Sequence, residues 1–324
     1  MSSDTANASS WVIHDGAAGN ARQALALATA LELRPRVIDL QLSHPWDWLA
    51  PHLPIGAMRG MRDRHGQPIA SPWPDIAIGC GRRAALLTRC LRGWSRKQSF
   101  TVQILDPRIS PHHFDVVVAP RHDRIKAANV IETVGALNAI DEAWLAEGRM
   151  TFAPMGELPQ PRTAVLIGAS NAAVALDDAY FSALHETLAK RHAAHGGSFL
   201  VSTSRRTPPE RIESLRREFS GWPGSFWGGP EDGENPYAGI LGWADRFIVS
   251  ADSVNMISEA CATGKPVHAF SAEPPSGKIG ALLKSLTSRS HVSAVDAHAI
   301  SEPLRESARV ADQIRVLWKR KMSR

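Results

Sequence analysis

A chain of 324 residues, 44% hydrophobic and 21% charged, has enough core-forming side chains for two domains of ordinary size and is neither a disordered nor a disulfide-rich sequence. Its net charge of +5 comes without a basic run interleaved with aromatics and without a recognisable binding module, which argues against nucleic acid. Cys80, Cys90 and Cys261 lack metal-type spacing and fit a reducing compartment, and no stretch approaches the roughly 18 apolar residues of a membrane span.

Residues 1–10 are rich in Ser, Ala and Asn and hold no apolar core of signal-peptide length, so we expect a cytoplasmic protein, or one peripheral to the inner membrane. Trp11–His14 reads as a strand running into Asp15-Gly16-Ala17-Ala18-Gly19-Asn20 and then a helix from Ala21 to about Leu33. Strands follow at Arg36–Leu40, Asp75–Ile78, Thr101–Leu105, Val116–Ala119 and Val130–Thr133. Pro154–Arg162, with its repeated prolines, reads as a linker. Thr163–Ile167 repeats the opening plan: it runs into Gly168-Ala169-Ser170-Asn171 and, after a short loop, a helix from about Asp177 to Arg191. Strands at Ser198–Ser202, Arg246–Ser250 and Val267–Phe270 complete the second half. The alternation predicts an α/β protein with two doubly wound Rossmann-like domains facing a cleft, at 1–155 and 160–324. The last helix, about Glu306–Lys319, is placed against the first domain.

Several first-half motifs admit two readings. Asp15 can act as a general base toward an acceptor hydroxyl, or can simply belong to an Asp-Gly turn. Gly79-Cys80-Gly81-Arg82-Arg83-Ala84 fits G-x-G-x-x-A, yet it is not on the first strand and no acid follows at about 20 residues. A close-packed strand-to-helix turn lining the cleft is the preferred reading. Asp106-Pro107-Arg108 and Ala119-Pro120-Arg121-His122-Asp123 end strands with polar groups, where α/β ligands bind. His122 is the candidate proton-transfer imidazole of this half, or else a loop histidine. Arginines cluster at Arg59/Arg62/Arg64, Arg82/Arg83, Arg205/Arg206 and Arg211/Arg216/Arg217, with a Lys319-Arg320-Lys321 tail. They read as solvated surface, as contacts to a phosphorylated substrate or as contacts to an anionic membrane. No P-loop, no pair of aspartates two apart and no H-E-x-x-H occurs, so no catalytic metal is expected.

The second half is the more informative. Ser204-Arg205-Arg206-Thr207-Pro208 follows a strand with hydroxyls and guanidinium groups that suit phosphate, or with a capped helix start. Asn235-Pro236-Tyr237 reads as a loop packing on a base, with Tyr237 stacking or touching its edge, or as a turn and cap. Between Trp243 and Phe270 a buried strand meets the turn Ala251–Asp252–Ser253, a helix over Val254–Thr263 and a stop at Gly264-Lys265-Pro266. Val254, Ile257 and Cys261 share one helix face, and both Asp252 and Ser253 suit an N-cap. The amides of such a first turn bind anions, and Glu259 lies where a carboxylate can meet a hydroxyl. Phosphate at the helix start and ribose at the acid suggest a nucleotide.

Taken in order, Asp15-Gly16…Gly19-Asn20, Gln103…Asp106-Pro107-Arg108, Ala119–Asp123, Ser204–Pro208, Asn235–Tyr237 and Asp252-Ser253…Glu259…Thr263-Gly264-Lys265-Pro266 span most of the chain. This pattern resembles the family named for the plant "elongated mitochondria" fission factor, whose bacterial members look like glycosyltransferases of the two-Rossmann-domain GT-B type. The resemblance implies a nucleotide-sugar donor in the second domain, at Gly168, Ser170, Ser204, Arg205, Arg206, Asn235, Tyr237, Asp252, Ser253 and Glu259. It implies an acceptor in the first, beside Gly16, Gly19, Asn20, Gly79, Arg82, Asp106 and Arg108, with Asp15 or His122 as base. It further implies phosphates held on a helix start and basic side chains, with no metal and no cofactor beyond the donor itself. Relatives often carry Gly-Gly at the second turn, where this chain has Gly168-Ala169, which impairs backbone approach to a phosphate. The reading is a glycosyltransferase acting on a cell-envelope glycan or lipid-linked acceptor, in peripheral contact with an anionic membrane. The alternatives are a non-catalytic scaffold on the same fold and a sugar-nucleotide epimerase sharing the donor pocket.

Overall fold

Trp11, Val12 and Ile13 are all buried, as expected of a strand covered on both faces, and such strands lie at the centre of both sheets. The computed structural model describes residues 8–295 and 300–323; residues 1–7, which include most of the Ser/Ala/Asn-rich opening, lie outside that range. The chain divides into two compact units, residues 1–139 with 306–324, and residues 140–305. The proline-rich segment 154–162 therefore lies within the second unit rather than between the two.

The first unit runs β1 (Ser10–His14), α1 (Ala18–Ala30), β2 (Arg36–Leu42), α2 (Trp46–Leu49), α3 (Ala57–Gly60), β3 (Met61–Asp63), β4 (Ile76–Cys80), α4 (Arg82–Trp94), β5 (Phe100–Ile104), β6 (Val116–Pro120) and β7 (Val130–Thr133). Its seven strands lie in the order β3-β2-β1-β4-β5-β6-β7, all parallel except β3, which pairs antiparallel with β2. Three polar-rich residues carry too little pattern to announce β3 in the sequence. On one face of the sheet, Val12, Ile78, Val102 and Val118 pack with Leu27 of α1 and with Leu31 at its C-cap. On the other, Ile13 and Ala77 pack with Leu87 and Leu91 of α4.

The second unit runs α5 (Glu142–Thr151), β8 (Arg162–Ile167), α6 (Asp178–His195), β9 (Ser198–Thr203), α7 (Pro209–Phe219), β10 (Gly224–Trp227), α8 (Tyr237–Trp243), β11 (Arg246–Ser250), α9 (Val254–Cys261), β12 (Val267–Phe270) and α10 (Gly277–Thr287). Its sheet is wholly parallel, in the order β10-β9-β8-β11-β12. Strand β10 opens with Gly224-Ser225, which masks it in the sequence. Tyr180, Phe181, Leu184 and Leu188 of α6 cover Val165, Ile167 and Val201. The residues read as a linker are bound in: Arg162 donates to the Gly156 carbonyl (2.6 Å) and stands over the Trp243 ring (5.4 Å). Helices α5 and α8 touch so closely that a Cβ on Gly148 would lie 2.5 Å from the Ala238 carbonyl oxygen.

After this unit the chain returns to the first as α11 (Ser307–Met322). Val310, Ala311, Ile314 and Trp318 enter the core beside Leu27, Leu31 and Phe100, and Arg315 donates to the Ala30 carbonyl (2.6 Å). Glu306 accepts from the amides of Val134 (2.7 Å) and Gly135 (3.0 Å), tying the helix start to the end of β7. Ile314 is fully buried, so Ile314→Ala leaves a cavity and should destabilise the protein by about 2–5 kcal/mol. Urea unfolding followed by circular dichroism checks this; an unchanged midpoint would show that α11 contributes little to the first core.

Candidate functional site

In a doubly wound sheet, helices depart to opposite faces on either side of the first strand, leaving a crevice at the carboxyl ends of the two strands flanking that point. In the first unit these strands are β1 and β4, followed by Asp15-Gly16 and by Gly81. Asn20 donates to Asp15 Oδ1 (2.9 Å). Gly81, at φ +93°, stands where a Cβ would lie 2.4 Å from Asn20 Nδ2 and 2.9 Å from Asp15 Oδ2. Gln103 donates to the Ile104 (2.9 Å) and Gly81 (3.2 Å) carbonyls, steadying that turn. Asp15 forms no ion pair among the described residues. The Cys80 thiol is pushed well up by its burial and then by the Asp15 charge, so it stays protonated.

Other first-half candidates serve elsewhere. Gly79 is a packing glycine: a Cβ there would meet Thr88 Oγ1 at 2.1 Å. Arg82 donates to the Asp47 (3.0 Å), Trp48 (3.4 Å) and Ala50 (2.8 Å) carbonyls of the β2–β3 connection. Gly16 donates its amide to His14 Nδ1 (3.1 Å), and Gly19 is absorbed into α1. Asp106 accepts from the Arg108 amide (2.8 Å) in a local turn. His122 follows β6, three strands from β1 in the sheet, so it does not share the Asp15 turn.

The second unit gathers more of its candidates. At the β8–β11 crevice the Gly168 amide donates to Ser250 Oγ (2.7 Å) and the Ala169 amide to Asp252 Oδ2 (3.1 Å). Ser250 in turn donates to Asp252 Oδ1 (2.6 Å), Asn171 to the Asp252 carbonyl (3.1 Å) and Thr207 to the Gly168 carbonyl (2.9 Å). A Cβ on Gly168 would sit 2.2 Å from the Asp252 carboxylate, so only glycine fits. The sequence offered Asp252 as a helix cap, but its carboxylate is spent on the glycine turn. Ser253 alone caps α9, accepting from the Met256 amide (3.4 Å). The Gly168 and Ala169 amides of the second glycine turn are thus engaged within the protein.

Beside this turn is a hollow of about 490 Å³ lined by Gly168, Ser170, Arg206, Thr207, Arg211 and Arg217. Arg206 comes within 3.8 Å of Asp252 and links the hollow to the start of α9. Ser204 is held by Thr207 (3.2 Å) and accepts from the Arg206 amide (3.2 Å), while Arg205 is exposed. Thr207 lies in the segment, and Arg211 and Arg217 in the arginine cluster, that the sequence offers as phosphate contacts, but no spacing marks their convergence on one hollow, which is assembled from several elements. Glu259, 6% exposed on α9, accepts from the Tyr237 hydroxyl (2.6 Å), and Asn235 accepts from the Tyr237 amide (3.0 Å). Tyr237, which the sequence offers as a stacking or edge contact to a base or as part of a turn and cap, thus holds the buried acid through its hydroxyl. Among the described residues no three His, Cys, Asp or Glu side chains converge as a metal cage.

Two doubly wound α/β units, each with polar residues at its crevice, define a fold of the GT-B type. The chain belongs to the Mitochondrial fission ELM1 family, whose profile matches residues 18–318. It is 32% identical over 297 residues to Mitochondrial fission protein ELM1 of Arabidopsis thaliana, covering 80% of this chain and 67% of that protein. Among solved structures it resembles UDP-GlcNAc 2-epimerase from Methanocaldococcus jannaschii at 13% identity and a TM-score of 0.53, covering 95% and 98% of the two chains. It also resembles MnaA of S. aureus, solved with UDP, at 11% identity and a TM-score of 0.54, covering 94% of each chain. At such identities the likeness is one of fold.

Burial raises the Asp252 carboxyl above its ordinary value, more than Ser250, Ala169 and Arg206 lower it. Between the unfolded value of 3.8 and this raised folded value, the native state holds the extra proton, so Asp252 draws stability down as pH rises through that window. Urea unfolding of the wild type and Asp252→Asn from pH 3.5 upward should show the wild type losing stability relative to the variant as pH rises. A parallel pair of curves would contradict it.

Proposed function

We propose that the protein is a metal-independent glycosyltransferase that moves a sugar from a uridine-diphosphate-type donor to a cell-envelope glycan or lipid-linked acceptor. The observation that carries this reading is the pairing of Tyr237 with the buried Glu259 on α9, whose Ser253-capped start follows Asp252, the residue that Arg206 of the arginine-lined hollow approaches to 3.8 Å. A carboxylate accepts hydrogen bonds from hydroxyls, and Glu259 already accepts one from Tyr237, so it is the acid we assign to a ribose hydroxyl. The fold shared with an epimerase and with a protein solved with UDP supports a uridine nucleotide over other bases.

In this reading the donor diphosphate rests on Ser204, Arg205, Arg206 and the first-turn amides of α9. Its negative charge grows as the bond between the anomeric carbon and the phosphate oxygen breaks, and the guanidinium groups stabilise it. Asp15, or else His122, takes the proton of the acceptor hydroxyl as its oxygen bonds to the anomeric carbon. The nucleoside diphosphate then leaves. A second reading, a non-catalytic scaffold on the same fold, is favoured by the engagement of the Gly168 and Ala169 amides with Ser250 and Asp252, and by the name of the Arabidopsis relative.

Thermal unfolding with UDP, GDP, CMP, ADP and their sugar conjugates separates the two. A ligand at about 100 times its Kd adds roughly 2.7 kcal/mol, on the order of 5–10 °C for a unit of this size. We expect UDP compounds to give that shift, Glu259→Ala to abolish it and Tyr237→Phe to reduce it by about 1 kcal/mol or more. Absence of a shift with every nucleotide would favour the scaffold.

A further inference from the structure

The connection between β2 and β3, residues 43–60, is pinned from its inner side and apolar on its outer side. Arg82 holds the Asp47, Trp48 and Ala50 carbonyls, Arg83 pairs with Asp47 (2.5 Å), and Arg89 donates to the Pro51 (3.1 Å) and His52 (3.4 Å) carbonyls. The Trp46 indole donates to the Ile55 carbonyl (3.0 Å), and Ala50 and Ala57 are buried in the core. Outward stand Trp48, 72% exposed, Leu49, 47%, Ile55, 80%, and Met58, 40%. A pinned segment cannot turn these side chains inward. Each forgoes about 1.5–3 kcal/mol of burial while it faces water. Such clusters mark interaction surfaces.

The same arginines continue into a cationic hollow. Arg82, Arg89, Arg92 and Arg96 form one stripe along and just beyond α4, by their helical spacing. Arg89, Arg92, Arg96, Lys97 and His113 line a hollow of about 500 Å³, and Arg89 belongs both to it and to the clamp on the apolar segment. Arg92 faces Asp115 (3.5 Å), which also takes Lys321 (2.9 Å). Arg89, Arg96 and Lys97 pair with no carboxylate among the described residues. His113 is held below its ordinary value by burial first and then by Arg89, Arg92 and His112, as a concentration of positive charge dictates. By contrast, Arg62 and Arg64, offered by the sequence as membrane contacts, turn to the Met61 carbonyl (2.8 Å) and to His65 (3.0 Å).

We propose that this face docks the protein on an anionic lipid bilayer, with Trp48, Leu49, Ile55 and Met58 entering the acyl boundary and Arg89, Arg96 and Lys97 taking lipid phosphates. The high exposure of Trp48 and Ile55 fits side chains that project into a soft phase rather than line a groove for a peptide. A second copy would bring the same positive hollow against itself. Among the described residues no helix is long and apolar enough to cross a membrane, so the face acts as a peripheral contact. It stands independently of whether the second unit binds a nucleotide.

Sedimentation of the full chain with extruded vesicles tests it. Binding is expected to phosphatidylcholine vesicles containing one-third phosphatidylglycerol and not to phosphatidylcholine alone, and to weaken as salt rises. Trp48→Ser with Ile55→Ser should lower partitioning roughly tenfold or more, and Arg96→Ala and Lys97→Ala about fivefold each, with unchanged urea midpoints because all four side chains are at the surface. Cys80, Cys90 and Cys261 are buried, so a polarity-sensitive dye on Ile55→Cys labels that site alone and should shift to the blue on anionic vesicles only. Equal binding to neutral vesicles, or no binding to either, overturns the proposal. So does an Ile55 dye that stays in water, or vesicle-free self-association that the Trp48 variant abolishes. Full displacement from vesicles by inorganic phosphate, with no effect of the Trp48 and Ile55 changes, would assign the hollow to a soluble anion and overturn it too.

Discussion

The Asp252 carboxylate, taken out of water at the carboxyl ends of β8 and β11, is the constraint around which the second unit is organised. A buried carboxylate must be satisfied by hydrogen bonds. Here it draws in Ser250 Oγ and the Ala169 amide and, through Ser250, the Gly168 amide. Those bonds fix the glycine turn, and Thr207 fixes it from the other side through the Gly168 carbonyl. The start of α7 and its arginines are thereby placed around one hollow beside the glycine turn. The polar knot itself is satisfied within the protein.

The first unit solves the same geometric problem with a different balance. Asp15 is held by Asn20 and remains half-buried at the edge, and Gly81 and Gln103 close the crevice behind it. Several guanidinium groups are structural here, Arg82 of the expected acceptor side among them. Arg82 gathers three carbonyls of the β2–β3 connection, Arg162 gathers the Gly156 carbonyl, and Arg315 takes that of Ala30. An arginine fork satisfies several carbonyls at once, which suits long connections with few hydrogen bonds of their own.

How much was legible follows from the kind of signal. Strands such as Val130–Thr133, Arg246–Ser250 and Val267–Phe270 are apolar runs bounded by turns, and their limits coincide with the observed ones. The repeated strand-and-glycine-turn opening was legible as a doubly wound fold because such connections are short and local. Strand β3 and strand β10 were not, being short and either polar or glycine-led. Side-chain partners were the least legible. Asp252 and Ser253 are equivalent cap candidates in sequence, and only the approach of Gly168, 84 positions earlier, decides which one caps. Tyr237 and Glu259 likewise meet across 22 positions.

The place of α11 has a consequence for the order of assembly. Its side chains complete the core built by residues 1–139, yet residues 140–305 are made in between. Domains ordinarily fold in the order of synthesis. Here the inserted unit has all of its strands before residue 271, whereas the first sheet waits for Val310, Ile314 and Trp318 before the apolar surface of α1 is covered. During translation the amino-terminal sheet therefore exposes part of its core to solvent and to chaperones for longer than the unit made after it, and the two units mature in the reverse of their order along the chain.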